Sequence, residues 1–219
     1  VNIVTVEDPV EANIDGVNQI QVNPKADMTF ASALRSILRQ DPDIIMIGEI
    51  RDPETAEIAV QASITGHLVA STLHTNSTSA SIARLLNMGI EPYLMADALV
   101  GVVAQRLVRK LCRCKRGREA TAQEKEELGV NQDEVLTIYE PAGCQLCSQT
   151  GYFGRTAVYE MMPVTPELRW AITKMQPSSK VKEIAQREGM ITLRGSAVRL
   201  VREGVTSLEE MKKIASEED

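Results

Sequence analysis

Asp41-Pro42-Asp43-Ile44-Ile45-Met46-Ile47-Gly48-Glu49-Ile50-Arg51-Asp52 sets an apolar run between acids and turn residues. A near-continuous apolar run of strand length, ending in Gly-Glu, has the pattern of a buried parallel strand. Open α/β sheets place their chemistry at the carboxyl ends of such strands. Glu49 stands at that end, and Gly48 allows a close backbone approach. Many strands finish in an acid, so the neighbouring segments determine what this one means.

Upstream, Ile3-Val4-Thr5-Val6 is a short β-branched run, followed directly by Glu7-Asp8-Pro9-Val10-Glu11. Pro9 cannot donate to a ladder and stops the strand. Three carboxylates thus gather at a strand end, either as a solvated acidic loop or as part of a site. Residues 13–27 read as loop and short extended pieces. Thr29 caps a helix over 30–39, whose Phe30, Ala33, Leu34, Ile37 and Leu38 share one face.

Downstream, Asp52-Pro53-Glu54 is a helix start, with Asp52 as cap and Pro53 in the first turn. Ala56, Ala59, Val60 and Ser63 form a small-residue face suited to close packing. A third strand, from His67 to Leu73, leads into His74-Thr75-Asn76, and these two histidines are the chain's only ones. A helix follows to about Met88. Strands alternating with helices imply right-handed crossovers and a parallel sheet. That sheet presents Glu7, Asp8, Glu11, Glu49, Arg51 and His74 along one rim. After Pro92 a helical pattern is expected to about Leu111. Beyond the cysteines, an extended run from Thr156 to Met162 precedes amphipathic helices, the last opened by the capping box Ser207-Leu-Glu-Glu210.

The chain has 219 residues, 43% hydrophobic and 25% charged, enough for an ample core. A net charge of -6 with 3% aromatics disfavours nucleic acid as the main partner. No apolar run approaches the roughly 18–20 residues of a bilayer span. The first residues already read as a strand, so the expectation is a fragment whose first elements lie upstream. Cytoplasm is the expected compartment.

All four cysteines fall within 112–147, as Cys112-Arg113-Cys114 and Cys144-Gln145-Leu146-Cys147. Two close thiolate pairs suit tetrahedral zinc in a structural role, since four protein ligands leave no open position for water. Disulfides between the pairs are the alternative. Arg106, Arg109, Lys110, Arg113, Lys115, Arg116 and Arg118 make a basic cluster beside them. It reads as a solvated surface that balances the thiolates, or as a surface for phospholipid headgroups or nucleic acid.

The three rim motifs, in this order, resemble the secretion ATPases that assemble type IV pili and drive type II secretion. Thr5-Val6-Glu7-Asp8-Pro9-Val10-Glu11 is similar to that family's aspartate box, Asp43 to Asp52 to its Walker B motif, and Thr65-Gly66-His67 through Asn76 to its histidine box. The resemblance continues through the cysteines, Gly151-Tyr-Phe-Gly154-Arg155 and the helical tail. The cysteines point to the assembly and secretion branch rather than to the retraction motors. Two departures stand out: the first cysteine pair is one residue shorter than the family's, and G-x-x-x-x-G-K-[ST] is absent. The resemblance places that phosphate-cradling loop just upstream of Val1.

The resemblance implies a partial RecA-like α/β core over 1–105, a tetracysteine zinc module over 106–160 and a helical subdomain over 161–219. It implies ATP and Mg²⁺ as ligands. Glu11 would orient or deprotonate the attacking water, Glu49 would hold Mg²⁺ through water, and His74 would sense the γ-phosphate. Glu7, Asp8 and Arg51 would complete the nucleotide-binding network, with His67 as an organiser of its box. The expected assembly is a homohexamer, cytoplasmic and peripheral to the inner membrane, working against a membrane platform protein. A zinc-bearing docking module and a DNA-translocating relative are the competing readings.

Overall fold

The computed structural model describes residues 1–215. In chain order its regular elements are β1 (Ile3–Glu7), β2 (Asn18–Gln21), α1 (Phe30–Ile37), β3 (Ile44–Ile47), α2 (Pro53–Ile64), β4 (Leu68–Ser71), α3 (Thr78–Asn87), α4 (Pro92–Ala98) and β5 (Gly101–Leu111). Then come β6 (Arg116–Glu119), α5 (Ala122–Glu127), β7 (Thr137–Glu140), β8 (Tyr152–Pro163), α6 (Pro166–Thr173), α7 (Ser178–Arg187), α8 (Leu193–Arg202) and α9 (Leu208–Ala215). The chain forms two compact units, one of residues 1–75, 79–102 and 163–185, the other of 76–78, 103–162 and 186 onward.

The first unit holds a four-stranded parallel sheet in the order β2-β1-β3-β4. Val4, Val6, Ile45 and Ile47 share one face and are at most 3% exposed. Burying a side chain of this size contributes about 1.5–3 kcal/mol, so the apolar run at 44–47 is anchored by its own composition. The helices begin where the local chemistry dictates. Thr29 Oγ1 accepts from the Ser32 N–H at 3.1 Å while Ser32 returns a bond to Thr29. Asp52 Oδ1 accepts from the Thr55 N–H at 2.8 Å. The small face of α2 is buried at Ala56 and Ala59, and Ser63 donates to Ala98 O of α4 at 3.1 Å. β4 is an edge strand of this sheet, with Leu68 58% exposed.

In the second unit, β6 and β7 pair antiparallel. β5 and β8 form a separate ribbon. Val164 N–H donates to Val100 O at one end of that ribbon and Cys112 N–H to Gly151 O at the other, so its strands run in opposite directions. The core of this unit is built from Val108, Ile138, Val158, Leu193, Ala197, Val201 and Met211.

Residues 101–111 depart from the expected helix. α4 ends at Ala98, and the segment that follows is a strand. Ala104 and Val108 are buried while Val103 and Leu107 are each 57% exposed, an alternation that fits a ribbon with one covered face. The adjacent β-branched Val102 and Val103 favour that choice. The sheet of the first unit also gains a member, because β2, within the segment read as loop and short extended pieces, joins β1 in parallel register.

The capping box expected at 207–210 forms in half. Ser207 Oγ accepts from the Glu210 N–H at 3.3 Å, but the Glu210 carboxylate turns to Arg109, accepting from its backbone N–H at 2.9 Å and its guanidinium at 2.9 and 3.1 Å.

Candidate nucleotide and metal sites

Parallel register assembles the rim. Val6 lies opposite Ile47, and Ile47 opposite Ser71, so the residues that follow in each strand emerge side by side. The ladder continues past the strand ends. Gly48 N–H donates to Val6 O at 2.8 Å, Ile50 N–H to Thr72 O at 3.0 Å, and Thr72 Oγ1 to Gly48 O at 2.6 Å. A Cβ on Gly48 would lie 3.2 Å from Val6 O and 3.4 Å from Glu7 Cα. The close approach foreseen at Gly48 is therefore made by β1 itself.

Glu49, Arg51 and His74 meet directly. The Arg51 guanidinium contacts Glu49 Oε1, and His74 Nε2 lies 3.0 Å from Glu49 Oε2. Glu49 is only 12% exposed, while Arg51 and His74 are 64% and 82% exposed, so the carboxylate is fixed between two solvated groups. Arg51 is the main cause that holds the Glu49 carboxyl below its usual range, against burial, and His74 adds to it. Asp8 adds its charge to Glu49's in raising Arg51. Such a carboxylate is ionised at neutral pH and able to face a hydrated cation.

Glu7 is set by two groups outside the sequence-derived set. Gln19 Nε2 donates to its Oε1 at 2.9 Å and Thr5 Oγ1 at 2.6 Å, in that order lowering its pKa. Thr5 lies inside the aspartate-box stretch without a role assigned to it, and Gln19 was not legible as a site residue, since a polar residue on a short strand carries no motif. Asp8 and Glu11 sit on the exposed loop after β1. His67 lies at the other end of β4 from His74, separated by about 13 Å of strand. Its Nδ1 is 3.0 Å from Ala62 O and 3.4 Å from Thr65 Oγ1, where α2 turns into β4.

The cysteines converge for a topological reason. Cys112 follows β5 and Cys147 precedes β8, whose adjoining ends meet; Cys114 precedes β6 and Cys144 follows β7, whose ends also meet. All four Sγ atoms lie within 4.8 Å of one another. The pairs 112/144, 144/147 and 114/147 are 3.8, 3.8 and 3.9 Å apart. Ligands 2.3 Å from a tetrahedral zinc would be about 3.8 Å from each other. The four thiols are unbridged, and the shorter first pair does not prevent this spacing. Cys144 N–H and Gly151 N–H each donate to Cys147 Sγ at 3.2 Å. Burial raises the Cys147 thiol, but those two donors, together with the Cys144 and Cys114 thiols beside it, outweigh burial and bring it down to about 6. Gly151 has φ +76°, and a Cβ there would lie 2.3 Å from Pro141 Cβ, so only glycine can bring its N–H to the sulfur.

Much of the basic cluster is engaged within this unit. Arg118 is clamped by Glu124 and Glu140, Arg109 by Glu210 and the face of Tyr152, and Lys115 by Gly204 O and the Tyr139 ring.

Residues 1–213 match the family described as type II/IV secretion system protein. The chain is 48% identical over 216 residues to a putative type II secretion system protein E of Escherichia coli, covering 98% of this chain and 44% of that protein. It is 49% identical over 213 residues to the type IV pilus assembly ATPase PilB of Thermus thermophilus, covering 96% and 24%. A solved structure of the pilus retraction motor PilT with bound ADP superposes with a TM-score of 0.70 at 27% identity, covering 97% of this chain and 52% of that one. The chain thus spans less than half the length of these two curated relatives. With its parallel sheet, rim acids and cysteine cluster placed as described, it belongs to the type II/IV secretion system protein family.

Proposed function

We propose that this chain is the part of an ATP-hydrolysing motor that carries the metal-side strand and the water-positioning loop, serving type II secretion or type IV pilus assembly. The observation that carries the reading is the meeting of Glu49, Arg51 and His74 at the carboxyl ends of parallel strands. Phosphoryl transfer needs a positioned water and groups that stabilise charge on the phosphates.

Glu49, kept ionised by Arg51, would hold a magnesium ion through its hydration shell, and His74 would contact the γ-phosphate. Glu11 would orient the attacking water, while Glu7, Asp8 and Arg51 set the charge of the rim. When bound, magnesium neutralises developing phosphate charge. His67, at the turn between α2 and β4, would organise its own segment. The phosphate loop itself would come from the rest of a longer protein.

Cys112, Cys114, Cys144 and Cys147 would hold one structural zinc, for which the near-tetrahedral sulfur spacing is the supporting observation. The longer protein would act as a homohexamer in the cytoplasm against an inner-membrane platform protein. No helix among the described residues is long and apolar enough to cross a membrane.

The test is phosphate release by the longer protein carrying Glu11→Gln or Glu49→Gln. Turnover should fall roughly 100-fold or more with nucleotide affinity largely kept. Near-normal hydrolysis by either variant would remove the role assigned to that residue.

A further inference from the structure

We infer that Gln19 is the positioning residue for Glu11, with Gln21 as its second support. The inference rests on the role proposed above for Glu11, and concerns how an exposed loop can hold a water-orienting carboxylate in place.

The loop between β1 and β2 has little apolar anchorage. Glu11, Ala12, Asn13 and Asp15 are exposed, and Ile14 is 58% exposed. Its grip is polar and comes from one edge strand. In the parallel register Thr5 lies opposite Gln19 and Glu7 opposite Gln21, which puts all four side chains on one face of the sheet. From there Gln19 makes three bonds. Its Nε2 donates to Glu7 Oε1 at 2.9 Å and to Ala12 O at 3.0 Å, and its Oε1 accepts from the Ile14 N–H at 2.7 Å. Gln21 Oε1 accepts from the Val10 N–H at 3.3 Å. The backbone is therefore pinned on both sides of Glu11, at residues 10 and 12, and again at 14.

Only a primary amide fits this job at position 19. It must supply two donors and one acceptor at once, which a carboxylate, hydroxyl or apolar side chain cannot do. Asparagine has the right groups on a stem one methylene too short. The same amide joins Glu7 to the loop, so the rim carboxylate and the backbone just after Glu11, at Ala12 and Ile14, are held by a single group. Catalytic geometry is unforgiving, and a displacement of about 1 Å can cost on the order of 100-fold in rate.

The experiment compares Gln19→Met, which keeps volume and removes all three bonds, with Gln19→Glu, which keeps the acceptor and loses both donors. Both are made in the longer protein and read by amide hydrogen exchange and steady-state kinetics. For Gln19→Met, exchange across residues 10–14 should quicken about tenfold, as expected for the loss of a net bond or two. Exchange in β1 and β3 should stay unchanged. The kcat should drop roughly 10- to 100-fold with KM for ATP within about threefold. Gln19→Glu should show the same split, and Gln21→Ala a smaller one.

Unchanged exchange in the loop would overturn the inference. So would faster exchange throughout the sheet, which would mean a merely structural role, or a loosened loop with unaltered kcat in a protein whose Glu11→Gln variant is inactive. If Glu11→Gln hydrolyses ATP normally, the reading of Glu11 fails on its own. The exchange data then still decide whether Gln19 holds the loop.

Discussion

Glu49 Oε2 and His74 Nε2 lie 3.0 Å apart although 25 residues separate them in the chain. The contact exists because β3 and β4 run parallel and in register, with Ile47 opposite Ser71 and Thr72 Oγ1 bonded back to Gly48 O. It makes Glu49 the shared partner of the Arg51 guanidinium and the His74 imidazole, of which Arg51 has the larger effect on its ionisation.

That ranking is testable. In a carboxyl-carbon NMR titration, Glu49 should ionise below the ordinary glutamate range. Arg51→Ala should move its midpoint upward by more than His74→Ala does. The opposite ranking would show that the histidine controls the carboxylate. Because His74 is 82% exposed, His74→Ala should change the unfolding free energy by less than about 0.5 kcal/mol.

The cysteine cluster predicts about one zinc per chain by elemental analysis. Cys112→Ser and Cys144→Ser should each abolish stoichiometric binding, and chelation should lower the thermal midpoint, since structural zinc in such modules contributes on the order of 10 kcal/mol of coupled binding. Gly151→Ala should lower zinc content without touching a ligand, because its Cβ would collide with Pro141 and pull the N–H from Cys147. A stably folded, metal-free wild-type protein would refute the metal assignment.

Glu210 gives a pH signature. Burial opposes its ionisation, but Arg109 and Lys213 outweigh burial and hold its carboxyl at about 2 instead of 4.5. A group whose folded pKa is depressed stabilises the native state fully above its unfolded pKa and loses that contribution as pH falls towards the folded value. Glu210→Gln should therefore lower the urea midpoint at pH 7 by an amount equivalent to about 1–3 kcal/mol, after allowance for Arg109's partial exposure. The gap should narrow steadily between about pH 4.5 and 2. A difference independent of pH would exclude the ion pair as its source.

Glu160 is 1% exposed and satisfies three donors, the Thr78 N–H at 2.7 Å, the Thr78 hydroxyl at 2.9 Å and the Leu193 N–H at 3.2 Å. Its carboxylate geometry is all acceptor, so Glu160→Gln should set an amide N–H₂ against a donor and cost about 1–3 kcal/mol in urea unfolding. A cost below about 0.5 kcal/mol would mean that the site rearranges to hydrogen-bond the amide.

What the sequence determined by itself was local. The apolar run at 44–47, the caps Thr29 and Asp52, and the stops around them are written within a few residues of where they act, so periodicity and capping chemistry suffice to read them. The rim acids and four cysteines were legible because each sits in a short motif. Tertiary structure decided what depends on distant partners. Residues 101–111 could serve as helix or strand until β8, some 50 residues on, supplied a ribbon to pair with. β2 became a sheet strand only because β1 offered an edge. Gln19 and Glu160 carry no motif, and Glu210 left its expected box for Arg109, 101 residues away. Strand pairing and buried polar bonds take their free energy from the partner they meet. A reading confined to nearby residues contains no term for that partner.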